Sequence, residues 1–365
     1  MKRKVCCFLE KIELGGIESF LTEVLLHCDL KDLQIEIVAA KIWENPYTDI
    51  LKSIGVKFTE LSGRLRSPKN FSLFKNLLSE NKYDVIHFNI FHGLAFKYVR
   101  IAESAGVPVR IVHAHGAGLR QSKTRFLKLI LHRICRFIYS KAPTHRLACS
   151  NTAARFLFGK APATVIRNGI RTENFRFSSE ARSEMRDRLG LDEETLLCHI
   201  GRMSEEKNQW FAIDVFNEYR KIDPNSHLAL AGDGPMRELY EKYAEDLGIK
   251  ESVTFLGNVK NTNELLSAAD FFIFPSIVEG LGIAAVEAQA SGLYALCSDS
   301  LPPEAKITDR FLSLPITEPE VWAQELEKLS PPTERERYAD TVRACGFDIS
   351  DTAAEIGRLY TEGRL

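Results

Sequence analysis

Glu279 and Glu287 stand eight residues apart in the segment FPSIVEGLGIAAVEA, residues 274–288. An apolar run at 271–274 leads into a Pro-Ser turn, then Glu279, then the glycine-bearing stretch Gly280, Leu281, Gly282, Ile283. The pattern predicts a helix that starts near Gly282 and carries Glu287 among apolar neighbours. A carboxylate buried there without a partner is costly. The first N–H groups of such a helix attract an anion. A second loop, GRMSEEKN at 201–208, supplies cations: Gly201 permits a sharp exit, and Arg202 and Lys207 can converge on one anion. Arginine brings a rigid fork and lysine a mobile point charge. Carboxylates for hydroxyls, with cations and a helix start for phosphates, suit a nucleotide sugar.

Other loops add to this set. Gly15 and Gly16 follow an early apolar run and open a helix. Backbone there can approach a ligand closely, or simply make a tight turn. VHAHGAG, residues 112–118, sets His113 and His115 at a strand end, where either can point into a cleft. Two histidines without a third ligand make a poor metal site. AGDGP, residues 231–235, reads equally as a structural turn or a ligand contact. In LGNV, residues 256–259, backbone near Val259 is offered to a base edge.

Strands must hold these loops in place. Short apolar runs at 5–9, 35–39, 85–88, 109–112, 145–149 and 164–166 alternate with helical patterns in the first half. Runs at 195–200, 227–231, 253–255, 271–274, 294–297 and 311–314 do the same in the second. This alternation predicts parallel sheets covered on both faces. The fold class is therefore α/β, with two Rossmann-like, doubly wound domains facing a central cleft. The joint is expected between Asn168 and Leu191. In such sheets ligands bind beyond the C-terminal strand ends, where the loops above fall.

The totals agree. At 365 residues the chain is comfortable for two domains. A net charge of -1 gives no reason to expect nucleic acid. No apolar run reaches about 18 residues, so no membrane span is expected. The start, MKRKVCCFLE, turns charged at Glu10 with no small-residue cleavage site, so no signal peptide is expected. The eight cysteines show no CxxC spacing, which suits reduced thiols in a cytosolic protein.

In their order and approximate spacing, GRMSEEKN, GDGPM, FLGNV and FPSIVEGLGIAAVEAQASG resemble the retaining GT-B glycosyltransferases of family 4, also called glycosyltransferase group 1. The last segment contains that family's E-x7-E element. The continuation CSDSLPPEAKITD is similar to a subset that builds bacterial capsular and exopolysaccharides. The resemblance spans nearly the whole chain, and its specific motifs lie in the second half. It implies an acceptor-side domain at 1–170, a nucleotide-sugar domain at 171–346, and a helix within 347–365 that crosses back to the first domain. It implies that Arg202 and Lys207 bind the donor diphosphate, that Glu287 holds the ribose hydroxyls and that Glu279 contacts the sugar near its reacting carbon. Gly280, Leu281, Gly282 and Ile283 would line the donor. Gly15 and Gly16 would lie over the diphosphate, and backbone near Val259 would meet the base. His115 matches the family's sugar-side histidine, with His113 its competitor. The catalytic set implied is His115, Glu279, Arg202 and Lys207. Two positions depart from the family: Arg167 stands where Pro is frequent, and Gly118 where several members carry Asp.

The reaction expected is retaining transfer of a hexose from a UDP-sugar to a glycan or lipid-linked glycan in cell-surface polysaccharide synthesis. No two aspartates are two apart, so there is no Asp-x-Asp metal pair. Arg202, Lys207 and the helix start take the leaving-group charge instead, and neither metal nor cofactor is expected. No residue is a convincing covalent nucleophile, which favours front-face attack through an oxocarbenium-like state. Two other functions fit the architecture: a UDP-sugar 2-epimerase, and a non-catalytic partner of another transferase. Loss of the cations or of the E-x7-E pair would mark the partner, and both are intact.

One further stretch, from Leu119 to Lys141, holds Arg120, Lys123, Arg125, Lys128, Arg133 and Arg136 and no acid. Phe126, Leu127, Leu129, Ile130, Leu131, Ile134, Phe137 and Ile138 alternate with them. This basic amphipathic pattern reads either as contact with an anionic membrane or as a core-packed helix with a solvated basic face. The first reading places a cytoplasmic protein peripherally on the inner face of the cell membrane.

Overall fold

The computed structural model describes residues 2–13, 15–62, 65, 67–119 and 124–364. Leu14 of the glycine loop, and Arg120 and Lys123 of the basic stretch, lie outside the described residues. The chain forms two compact units, one of Met1–Gly169 with Ile349–Leu365, the other of Ile170–Asp348.

The first unit is built on β1 (Arg3–Leu9), β2 (Leu33–Ala39), β3 (Lys57–Glu60), β4 (Val85–Ile90), β5 (Val109–Ala114), β6 (His145–Ala148) and β7 (Thr164–Val165). All pair in parallel, in the order β3-β2-β1-β4-β5-β6-β7. The apolar runs anticipate every strand except β3. That strand is a four-residue edge, KFTE, whose single apolar side chain, Phe58, packs half-buried against the core, so no apolar run marks it. The helix Gly16–His27 contributes Ile17, Phe20, Leu21, Val24 and Leu25 to a core shared with Val5, Cys7 and Leu9 of β1. The helix Ile349–Glu362 joins the same core through Ile349, Ile356, Leu359 and Tyr360. Thr352 secures it: its hydroxyl donates to the Arg167 carbonyl at 2.9 Å and accepts from the Gly169 N–H at 3.2 Å.

The second unit holds β8 (Thr195–Ile200), β9 (Ser226–Ala231), β10 (Val253–Gly257), β11 (Phe271–Phe274), β12 (Tyr294–Ser298) and β13 (Phe311–Leu314). These are also parallel, in the order β10-β9-β8-β11-β12-β13. Leu197, Phe216, Leu228, Ile273, Leu296 and Trp322 belong to its core. Each sheet has one point where the chain stops adding strands to one side and begins on the other. These switch points lie between β1 and β4 and between β8 and β11. Loops leaving adjacent strands diverge there and open a crevice for a ligand.

Candidate functional site

The second switch point brings together part of the expected donor set, from the loops after β8 and β11, while Gly15 and Gly16 lie in the first unit. The loop after β8 carries Arg202 and Lys207, and the loop after β11 carries Glu279 and Gly282. Backbone stitches the two loops together: the Ile277 N–H donates to the Glu206 carbonyl at 2.8 Å, and Asn208 Nδ2 donates to the Pro275 carbonyl at 3.2 Å. Gln209 Nε2 donates to the Arg202 carbonyl at 3.0 Å and braces the first loop from behind. Across this seam Lys207 forms an ion pair with Glu279. Glu279 Oε1 also accepts from Ser276 Oγ at 2.8 Å. The Lys207 ammonium lies 5.0 Å from the centre of the Phe274 ring, which stacks with the His199 imidazole and the Phe272 ring. Only 25 % of the lysine side chain and 12 % of the glutamate's is exposed, so the pair is shielded from solvent.

Gly282 closes this loop at φ 91°, a left-handed conformation that glycine adopts without strain. A Cβ there would stand 3.1 Å from Leu301 Cδ2. The helix Ile283–Ala290 begins at this residue with no side chain capping its first N–H groups. Glu287 corrects an expectation. It is half-buried and shares the open stripe with Ile283 and Ala284, while Ala285, Val286, Ala288 and Gln289 take the buried face. Helical periodicity puts 283, 284 and 287 together, so the cost of burying a lone carboxylate does not arise here. What remains is a carboxylate accessible to hydroxyls. Arg202 and Gly280 are likewise half-buried and Leu281 is buried. Val259 follows the edge strand β10, which β9 separates from β8.

The AGDGP loop has a structural explanation. A Cβ on Gly232 would fall 2.0 Å from the Gly201 carbonyl oxygen. The Gly232 N–H donates to the Gly257 carbonyl at 2.7 Å, and the Met203 N–H to the Asp233 carbonyl at 2.9 Å. The ends of β8, β9 and β10 are locked backbone to backbone. Gly232→Ala must move that backbone, at a cost of about 1–3 kcal/mol. Calorimetry is expected to show Tm lowered by about 2–4 °C for each kcal/mol lost in a unit of this size.

In the first unit the glycine loop follows β1 and the histidine loop follows β5. A Cβ on Gly16 would meet nothing within 4 Å, so packing does not demand a glycine there. Glu18, which the sequence reading passed over, is buried in the first turn of that helix and accepts from the Glu13 N–H at 3.0 Å. Burial pushes its carboxyl above the usual range.

His113 and His115 differ in position. His113 is fully buried, with its ring 5.4 Å from that of His87 on β4 and 4.1 Å from that of His115. His115, 8 % exposed, comes just after the end of β5. His87 Nε2 lies 3.3 Å from His113 Nδ1, His115 Nε2 lies 2.9 Å from Asn89 Oδ1, and His87 Nδ1 lies 2.7 Å from Tyr360 Oη. His87, Asn89 and Tyr360 were not singled out in the sequence, although a signal existed: HFN on β4 and HAH at the end of β5 put polar residues on one face of adjacent strands.

Burial pushes His87 and His115 down to about 3 and His113 well below its usual value, so all three are neutral at pH 7. Because the folded values are depressed, this stability is complete above the unfolded value of about 6.5 and is lost as pH falls toward 3. Tm is expected to drop between pH 6.5 and 4, with up to about 1.4 kcal/mol per pH unit for each such histidine. A Tm that stays flat over that window would contradict neutral burial.

The basic stretch forms the helix Arg125–Ile138, and it faces the opposite way from a core helix. Its one buried residue is His132, which accepts from the Gly93 N–H at 2.9 Å and donates from Nε2 to the Phe156 carbonyl at 3.0 Å. Phe126 (77 % exposed), Leu127, Ile130, Ile134, Phe137 (85 %) and Ile138 all lie open. At 100° per residue these six fall on one arc, directly opposite His132. The expectation of a core-packed helix therefore fails for this face. Among the described residues, no helix is long and apolar enough to cross a membrane.

Comparison with known proteins fits this geometry. The model of Glycosyl transferases group 1 matches residues 181–341, and that of Glycosyltransferase Family 4 matches residues 14–174. The chain is 28 % identical to a Bacillus subtilis (strain 168) protein named glycosyltransferase EpsF, over 98 % of this chain and 96 % of that one. It is 24 % identical to the capsular polysaccharide biosynthesis glycosyltransferase CapH of Staphylococcus aureus, over 99 % of each. The crystal structure of Anabaena Alr3699/HepE in complex with UDP aligns at a TM-score of 0.78 and 19 % identity, over 99 % of this chain and 100 % of that one. The fold is thus GT-B. The chain belongs to the group 1, family 4 glycosyltransferases, and it is a sugar-transferring enzyme.

Proposed function

We propose that this enzyme moves a hexose from a UDP-sugar to a glycan or lipid-linked glycan, with retention and without a metal, in cell-surface polysaccharide synthesis. The observation that carries this is the seam between the loops after β8 and β11. It sets Lys207, Glu279, the Arg202 loop and the uncapped start of the helix Ile283–Ala290 side by side. A donor separates the ion pair productively: its sugar hydroxyls donate to Glu279 while its diphosphate engages Lys207, so neither charge is left buried alone. Arg202, Lys207 and the helix start then meet the charge that develops on the leaving diphosphate. Neutral His115 positions the sugar. Bound UDP in the Anabaena structure and the name of CapH support the nucleotide and the pathway.

Incubation with a panel of nucleotide sugars tests this. UDP-sugars are expected to raise Tm and to undergo slow hydrolysis that EDTA leaves unchanged, with Arg202→Ala losing both. Silence toward every UDP-sugar would remove the UDP-donor reading, and rescue by divalent ions would remove the metal-free one. Gly16→Ala adds a local test. Because nothing crowds that Cβ, stability should hold or rise, by at most about 1 kcal/mol, and Tm with it. If the diphosphate passes over Gly16, the donor KM should rise about tenfold or more, since one methyl then stands in its path.

The exposed arc of the helix Arg125–Ile138 supports a peripheral place on an anionic bilayer. At 100° per residue Arg133 lies beside the apolar arc, whereas Arg125 and Lys128 fall on the His132 side, and residues 119–141 contain no acid. Apolar side chains entering the headgroup boundary, with cations toward anionic lipid, are how interfacial helices bind. This placement favours a lipid-linked acceptor.

A further inference from the structure

Two large aromatic rings stand open at the C-terminal end of the first unit's sheet. Trp43, in the loop after β2, is 48 % exposed, and Phe91, just after β4, is 41 % exposed. β1 runs between those strands, so the two loops flank the one that leaves β1 with Glu10 and Lys11. The three strands end level, with Leu9 opposite Ala39 on β2 and opposite Asn89 on β4. Two interstrand spacings, about 10 Å, separate β2 from β4. The backbone under both rings is tied down. The Trp43 N–H donates to the Ile12 carbonyl at 3.1 Å, the Ile12 N–H to the Lys41 carbonyl at 2.9 Å, and the Ile42 N–H to Glu60 Oε2 at 2.8 Å. Phe91 rests on Gly116, where a Cβ would stand 3.0 Å from the ring carbon Cδ1. At the end of β1, Glu10 Oε1 lies 3.5 Å from Nδ1 of His92, the residue after Phe91.

We propose that Trp43 and Phe91 are stacking platforms for the acceptor glycan, with the Glu10–His92 pair meeting its hydroxyls, so that the acceptor is recognised across at least two sugar rings. A pyranose presents a face of C–H bonds that packs on an aromatic ring by dispersion, and a rim of hydroxyls that donate to a carboxylate. A nucleotide base also stacks on aromatic rings, but its diphosphate would be repelled here. Both lysines of these loops are already paired, Lys11 with Glu13 at 2.5 Å and Lys41 with Glu60 at 3.0 Å, and Glu10 adds a further acid. The cations expected for the diphosphate, Arg202 and Lys207, belong to the other unit. A neutral glycan is the occupant that these loops suit. The assignment rests on reading the reaction as transfer to a glycan with the first unit on the acceptor side.

Saturation-transfer NMR of the full chain with maltose, lactose, cellobiose and N,N′-diacetylchitobiose tests this. Wild type should saturate the ring C–H protons of at least one disaccharide. The matching monosaccharide, with one ring for two platforms, should bind about tenfold more weakly. Trp43→Ala and Phe91→Ala should each weaken that disaccharide by about tenfold. Tm should hold in both, because both rings already stand in solvent. Trp43→Phe, which keeps a ring, should restore most of the binding. The disaccharide should also shield tryptophan fluorescence from acrylamide, a change absent from Trp43→Phe. Binding that both alanine variants retain, or a wild type silent toward every one of these disaccharides, overturns the proposal. A concentration-dependent dimer that Trp43→Ala dissolves assigns the surface to a second copy of the chain and overturns it as well. UDP-sugar hydrolysis by the same wild-type sample decides the donor reading separately. Hydrolysis without disaccharide binding removes the platform alone, and disaccharide binding without hydrolysis removes the UDP-donor reading alone.

Discussion

Lys207→Ala should lower donor kcat/KM by about 10²–10³-fold, the loss associated with removing one preorganised group that stabilises developing charge. The effect should fall mainly on kcat, because the diphosphate gains charge only as the sugar–phosphate bond breaks. The same substitution has a structural side. Glu279 then keeps only Ser276 as its described partner in this seam while largely buried, and leaving such a group short of a partner costs about 1–3 kcal/mol. A drop in Tm alone would therefore prove nothing about catalysis. The double substitution Lys207→Ala with Glu279→Gln separates the two effects. Removing both charges should restore most of the Tm, since no unpaired carboxylate remains. It should leave transfer as slow as, or slower than, the single variant. If Lys207→Ala retains activity within about threefold while the seam stays folded, the lysine is a structural partner of Glu279 and the leaving-group charge is met elsewhere.

Why the sequence shows the parts of this seam but not its wiring is a matter of strand order. GRMSEEKN and the E-x7-E segment are legible as motifs, and their strands stand out as apolar runs. That β8 and β11 are neighbours is not legible, because a run of apolar residues carries no record of which strand it pairs with. The Lys207–Glu279 pair joins residues 72 apart and exists only through that adjacency. The histidine chain was hidden for a related reason. Cys7, His87, His113 and Tyr360 come from three strands and the final helix, and only the parallel register, Cys7 opposite His87 and Asn89 opposite His113, brings them to one face. Edge strand β3 was missed because a strand with a single half-buried apolar side chain shows no apolar run. Glu287 was misjudged because composition around a residue does not say which side of the helix it occupies. The helix Arg125–Ile138 shows the same limit most clearly. Periodicity reveals two faces, and only tertiary packing, here His132 against Gly93 and Phe156, decides which one turns inward.

That inversion leads to the second large effect. Phe126→Ser with Phe137→Ser should weaken binding to vesicles containing anionic lipid by about 10²–10³-fold. Burying an aromatic side chain fully is worth about 1.5–3 kcal/mol, and each 1.4 kcal/mol is tenfold in affinity. The substitutions should leave Tm nearly unchanged, because both rings already stand in solvent and surface changes of this kind usually fall within about 0.5 kcal/mol. Charge reversal at Arg133 should act differently. Near an anionic surface each cation contributes about 1 kcal/mol, a term that salt screens. The reversed variant should therefore lose affinity at low salt and on anionic vesicles, and match wild type on neutral ones. Transfer assays add the functional consequence. If the helix brings the enzyme to its acceptor, the Phe126 and Phe137 variant should fail on a lipid-linked acceptor in vesicles and keep normal rates on a short soluble one. Wild-type vesicle binding by that variant would remove the membrane from the account. A concentration-dependent dimer in sedimentation that dissociates on the same substitutions would assign the arc to a second copy of the chain instead.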